Sequence, residues 1–202
     1  QLPDGPLAVR SSMKLEDSST HSFAGQLDSF LNVAGESNLI QAVKACWASS
    51  FGERAKNYRK QHGLVEEEGG MEVIIQSMIP ADVSGVVFTA DPTARDRRWM
   101  VVSAVNGLGD VLVKGKAEGE TWRIERATGT VEGNGRILTK PQLLALVTLA
   151  KKIEELFGSV QDIEFAWAHG EFYILQARPI TTPIPATSGS QDEQILWDNS
   201  NI

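Results

Sequence analysis

The chain has 202 residues, a formal net charge of -7, 42% apolar residues and one cysteine, the profile of an ordinary globular protein with room for one sizeable core or two smaller lobes. The acidic balance excludes a nonspecific nucleic-acid binder, which needs a basic face to displace condensed counterions, and no apolar run approaches the roughly 20 residues that cross a bilayer as a helix. Cys46 has no partner for an intrachain disulfide and no signal peptide is visible, so a cytoplasmic protein with no membrane partner is expected.

In chain order, Leu7-Ala8-Val9-Arg10-Ser11-Ser12 alternates as a short strand ending in a cation and two hydroxyls. Residues 16–26 have no periodicity and many small polar side chains. Such a stretch, with Gly25 able to take positive φ, is either a plain surface loop or a lid over phosphates. Ser37 and Asn38 are candidate caps for one helix over residues 37–60, because Leu39, Val43, Cys46, Trp47, Phe51 and Ala55 recur at helical spacing. Lys44, Arg54, Lys56, Arg59 and Lys60 then form its solvated side. Residues 71–78 and 85–89 are expected as two adjacent strands, with 99–105 as a third, and Gly107-Leu108-Gly109 as a tight turn or a close approach to a ligand. Further strands are expected at 111–113 and 120–126. Thr139 caps a second helix with Pro141 in its first turn, an apolar stripe of Leu143, Leu146, Val147, Ala150, Ile153, Leu156 and Phe157, and Gly158 at its end. The class is α+β, a mixed β-sheet with helices on one side.

Residues 162–179 predict a β-hairpin, two aromatic and β-branched runs around a His169-Gly170 turn. Period two places Asp162 and Glu164 on one face, with Ile163 and Phe165 on the other. Two carboxylates beside an apolar layer are costly unless neutralised, and a hard cation with oxygen ligands is the natural partner. Gln176 and Arg178 repeat the spacing on the returning strand. If the loop is His169, Gly170 and Glu171, Glu164 lies opposite Gln176 and Asp162 opposite Arg178, all on one face. A two-residue loop moves the pairs to opposite faces unless a bulge compensates. The competing reading is an exposed hairpin with one cross-strand ion pair worth a few tenths of a kcal/mol.

The motifs Ala8-Val9-Arg10-Ser11-Ser12, Glu16-Asp17, Ser22-Phe23-Ala24-Gly25-Gln26, Phe30-Leu31-Asn32-Val33, Gln76-Ser77-Met78-Ile79 and Ser84-Gly85-Val86-Val87-Phe88-Thr89-Ala90-Asp91-Pro92 occur in this order. They are followed by Gly107-Leu108-Gly109-Asp110, Asp162-Ile163-Glu164 and Leu175-Gln176-Ala177-Arg178-Pro179. Together they resemble the nucleotide-binding domain shared by phosphoenolpyruvate synthase (pyruvate, water dikinase), pyruvate phosphate dikinase and rifamycin phosphotransferase. The resemblance implies an ATP-grasp fold and a phosphotransferase that uses ATP and Mg2+, passing phosphate to a catalytic histidine on another domain and then to pyruvate. An antibiotic phosphotransferase with the same ATP lobe is the alternative, and a non-catalytic scaffolding module is a third.

Residue by residue, the resemblance gives Asp162, Glu164 and Gln176 the metal, and Arg10 and Arg178 the ATP phosphates, with Arg10, Glu164 and Arg178 in the catalytic roles. Gln76, Met78 and Ile79 match the segment meeting the adenine edge, and Gly25 and Gln26 lie in the loop over the phosphates. Two departures qualify the match. Met13-Lys14-Leu15 replaces the small residue and Thr usual after Arg10-Ser11-Ser12, and the family's glycine-flanked lysine has no counterpart here. The lysine's N-terminal lobe is thus expected to be missing. None of His21, His62 and His169 sits in a phosphohistidine motif. Residues 1–180 are therefore expected as most of an ATP-grasp domain and 181–202 as a linker with the truncated start of a next module, whose partners are the remaining domains of a parent enzyme. With the lysine lobe missing, the chain alone is expected to be inactive and to bind ATP weakly. Submicromolar affinity in an isothermal titration would contradict this.

Overall fold

The computed structural model describes residues 5–13, 28–61, 71–109 and 119–185. The chain divides into two compact units, the first ending at Met78 and the second beginning at Ile79. Gly25, Gln26 and the strand expected at 111–113 lie outside the described residues.

In the first unit, β1 (Leu7–Met13) lies between β2 (Ser29–Val33) and β3 (Met71–Ser77). Alternation along β1 sends Leu7 and Val9 to one face and Ala8 and Arg10 to the other. Leu7 and Val9 bury against helix α1 (Glu36–Ser49), forming a core with Val33, Leu39, Ala42 and Cys46.

The single helix expected over 37–60 is two helices, α1 and α2 (Glu53–Gln61). The break has a local cause. The hydroxyls of Ser49 and Ser50 donate to the carbonyls of Cys46 and Trp47, each at 2.7 Å, and the amides of Ser50, Phe51 and Gly52 bond three residues back. Side-chain competition and a tightened last turn end the helix there. Neither Ser37 nor Asn38 caps α1; the N-cap is Gly35, at φ 81°. Trp47 and Phe51, expected on the apolar side, are 50% and 70% exposed.

The second unit is a six-stranded sheet of order β7-β6-β5-β4-β8-β9. Its strands are β4 (Val83–Phe88), β5 (Trp99–Asn106), β6 (Glu120–Glu125), β7 (Val131–Glu132), β8 (Gln161–Ala168) and β9 (Glu171–Pro179). The strands expected to be neighbours, β3 and β4, are in different sheets. The Met78 amide bonds the Pro6 carbonyl and completes the β1–β3 ladder, whereas the Asp82 amide bonds the Trp167 carbonyl and starts β4 beside β8. All named pairings are antiparallel. The mixture in this α+β architecture is therefore of sheets with helices, not of strand directions.

Helix α3 (Lys140–Phe157) covers one face of this sheet. Thr139 and Gln142 form the expected capping box, and Gly158 closes the helix in the left-handed conformation at φ 68°. Leu143, Leu146, Val147 and Ala150 pack on Met100, Val102, Trp122, Ile124, Ile163 and Phe165. The expected stripe ends at Ile153; Leu156 and Phe157 are exposed.

Gly85 lies between Ala104 on β5 and Phe165 on β8. A Cβ here would be driven into the Ser103 carbonyl oxygen and would stand 2.8 Å from Ala104 Cα. Backbone in a paired central strand cannot retreat, so Gly85→Ala should cost at least about 3 kcal/mol and lower the melting temperature by about 6–12 °C. A thermal melt within about 2 °C of wild type would show that the β4–β5 spacing is not as tight as described.

Candidate functional site

β8 and β9 form a hairpin in which two faces have different work. Ile163 and Phe165 face the core under α3, with the Phe165 and Phe172 rings in an edge contact at 5.7 Å. Asp162 and Glu164 therefore project to the opposite face. The register there is Asp162 opposite Arg178 and Glu164 opposite Gln176. That is the expected pairing, reached by another route. The turn is not His169, Gly170 and Glu171; it is the two residues His169 and Gly170, because Ala168 pairs with Glu171. Both turn residues have positive φ, 53° and 82°, the type I′ geometry that matches strand twist. From Phe165 opposite Ile174 the register shifts to Glu164 opposite Gln176, so Leu175 is the extra residue of a bulge.

The exposed-hairpin reading fails on burial. Asp162 is 5% exposed and the Arg178 side chain 13%. Arg178 Nε donates to Asp162 Oδ2 at 2.9 Å, and Nη2 makes an ion-pair contact with the same oxygen at 2.7 Å. Asp162 Oδ1 and Gln176 Oε1 are buried with no hydrogen-bond partner. Burial pushes the Asp162 carboxyl up to about 6; Arg178 opposes that shift and the Glu164 charge adds to it.

Among the described residues no group of three or more His, Cys, Asp or Glu could hold a metal ion. A cation here would rest on two carboxylates and an amide oxygen. That donor set fits a hard, oxygen-preferring ion; of the three buried hairpin acceptors without a partner, Gln161 Oε1, Asp162 Oδ1 and Gln176 Oε1, the last two lie on the face of Glu164.

The remaining site residues belong to other elements. Arg10 and Gln76 project from β1 and β3 of the first unit to the face opposite α1, diagonal across the register Ala8–Gln76 and Arg10–Ile74. The Met78 amide is occupied by Pro6, and the Ile79 carbonyl accepts from Ala81, at 3.0 and 2.8 Å. Gly107 takes φ 78°, donates to the Asp82 carbonyl and accepts from the Ser84 hydroxyl, which makes Gly107-Leu108-Gly109 a tight turn.

Three polar residues on the face of Glu164 escaped the sequence reading. Ser103 and Thr121 are hydrogen-bonded to each other at 3.0 Å. Arg123 bonds Asp91 at 3.0 Å and lies 4.6 Å from the centre of the Trp99 ring. The signal was the alternation of β5 and β6, but only the pairing through β4 shows that this face is shared with β8.

Comparison with known proteins adds an independent finding. The model of the pyruvate phosphate dikinase AMP/ATP-binding domain matches residues 2–134 and 128–196. The chain is 39% identical to a rifampicin phosphotransferase of a Streptomyces species, covering 92% of this chain and 24% of that protein. It is 36% identical to a probable phosphoenolpyruvate synthase of Archaeoglobus fulgidus, covering 87% and 27%. It is 35% identical to the prodigiosin synthesizing transferase PigC of Serratia marcescens, covering 90% and 23%. The chain thus spans about a quarter of the length of the curated relatives it matches.

The Asp162 environment sets a pH dependence. Its folded-state pKa is raised from 3.8 to about 6, so the folded protein holds this proton more tightly than the unfolded chain. The stabilisation is complete below the unfolded value and is lost as pH rises through about 6. In metal-free buffer, the urea midpoint of the wild type should fall more between about pH 4 and pH 7.5 than that of Asp162→Asn. Parallel profiles would show that burial does not perturb this carboxyl.

Proposed function

The chain belongs to the pyruvate phosphate dikinase AMP/ATP-binding domain family, and from that premise we propose that it binds ATP with Mg2+ as the nucleotide lobe of a phosphoenolpyruvate synthase-like dikinase. The observation that carries the proposal is the polar row of buried Asp162 and half-buried Arg178, Glu164 and Gln176, in which Asp162 Oδ1 and Gln176 Oε1 are left unpaired. In this reading residues 1–180 are ATP-grasp in type and 181–202 a linker toward a further module.

Glu164, Gln176 and Asp162 Oδ1 would hold the cation, whose contribution is to neutralise charge on the phosphate oxygens. Arg178 offers a planar fork suited to a tetrahedral oxyanion, and Arg10 a second one. Gln76, Met78 and Ile79 are proposed for the adenine, and Gly25 and Gln26 for the loop over the phosphates. Phosphoryl transfer asks mainly for positioning and charge neutralisation, and the hairpin row of the second unit supports this reading. The acceptor is proposed to be a histidine on another domain and then pyruvate. The 39% identity to a rifampicin phosphotransferase supports an antibiotic acceptor equally. A purely scaffolding role is disfavoured, because it leaves the two buried oxygens unexplained.

Titration with ATP in the presence and absence of Mg2+ tests the proposal. Mg2+ should tighten binding to the wild type. Glu164→Gln should abolish that enhancement, and Arg178→Ala should weaken Mg-ATP binding at least about tenfold, the value of one lost charge-assisted hydrogen bond. Wild-type affinities in both variants, with unchanged circular dichroism, would remove the site from this face.

A further inference from the structure

We infer that Asp162 is the positioning residue for Arg178, fixing the direction of its guanidinium on the sheet face, a role separate from any contact between Asp162 and a cation. The inference deepens the ATP proposal and rests on it for the purpose of the positioning, though not for the geometry. Three observations carry it. Both Nε and Nη2 of Arg178 contact the single oxygen Oδ2, which fixes the plane and the rotation of the fork. Asp162 is buried, Arg178 is mostly shielded and the two are directly cross-strand, so the contact is set by register and not by a chance surface rotamer. The other oxygen, Oδ1, takes no part in it.

A long side chain with four torsions reaches a phosphate productively only when its head is held before the ligand arrives. Asp162 supplies that restraint through an acceptor atom. An amide oxygen can replace it, whereas removal of the side chain cannot. A carboxylate acting only as a metal ligand would behave differently: its removal in Asp162→Ala would leave the guanidinium where it was.

Arginine side-chain NMR of the whole chain tests this without nucleotide. The Arg178 Nε–Hε signal, assigned by its loss in Arg178→Lys, should exchange slowly with solvent in the wild type and in Asp162→Asn, and should be lost or shifted in Asp162→Ala. Rapid exchange in the wild type would overturn the inference by itself, which keeps the test decisive if Asp162→Ala fails to fold. If the wild type binds no ATP with or without Mg2+, the ATP proposal falls, while the exchange of Nε–Hε still decides whether Asp162 holds Arg178.

Discussion

One extra residue, Leu175, decides whether Asp162 and Arg178 meet. The type I′ turn at His169-Gly170 imposes a register that, carried unchanged along the hairpin, would set Asp162 opposite Ala177 and put the two polar pairs on opposite faces. The bulge moves Gln176 and Arg178 back by one position after the aromatic contacts of Phe165 and Phe172 have been made. One hairpin thereby satisfies two demands. Near the turn its register serves the core under α3, and beyond the bulge it serves the polar row. Deleting Leu175 would keep the first and destroy the second.

The row is expensive. A buried carboxylate–guanidinium pair gives back in Coulomb energy about what it loses in desolvation, and replacement by well-packed apolar residues is often neutral or better for stability. Here the carboxylate also keeps one oxygen unpaired, which an interior tuned for stability alone would not do. The raised pKa of Asp162 expresses the same strain: burial outweighs the adjacent Arg178 charge. The cost is sustained from behind, where Ile163 and Phe165 lie in a core closed by α3 and by the close approach of β4 and β5 at Gly85.

What the sequence made legible follows from range. Alternation marked β1, β5, β6 and the hairpin, and capping chemistry marked both ends of α3, because each is decided within a few residues. The break after α1 was hidden because the Ser49 and Ser50 hydroxyls compete with the helix without disturbing its apolar spacing. Sequence proximity predicts β3 beside β4, yet β4 pairs with β8, some 70 residues on, a choice no local pattern records. The site was legible in part. Which residues share a face could be read from period two once the register was supposed, but a three-residue loop and a two-residue turn with a bulge give the same pairing beyond Glu164. Burial and unpaired oxygens, which distinguish a ligand site from a surface ion pair, depend on how the whole sheet packs.

The charge on the row sets what it can accept. Asp162 and Glu164 contribute two negative charges and Arg178 one positive, leaving -1 when both carboxylates are ionised, in a chain whose formal charge is already -7. Arg123, the next cation on this face, is bonded to Asp91 and Glu132. A polyphosphate approaching such a surface alone is repelled, and the low local dielectric amplifies the repulsion. A divalent cation on the unpaired oxygens changes the sum to +1 and turns the same surface attractive. Under the proposed reading the arrangement works as a nucleotide floor only together with a cation, and the carboxylates that look wrong for an anion site would be what recruits it.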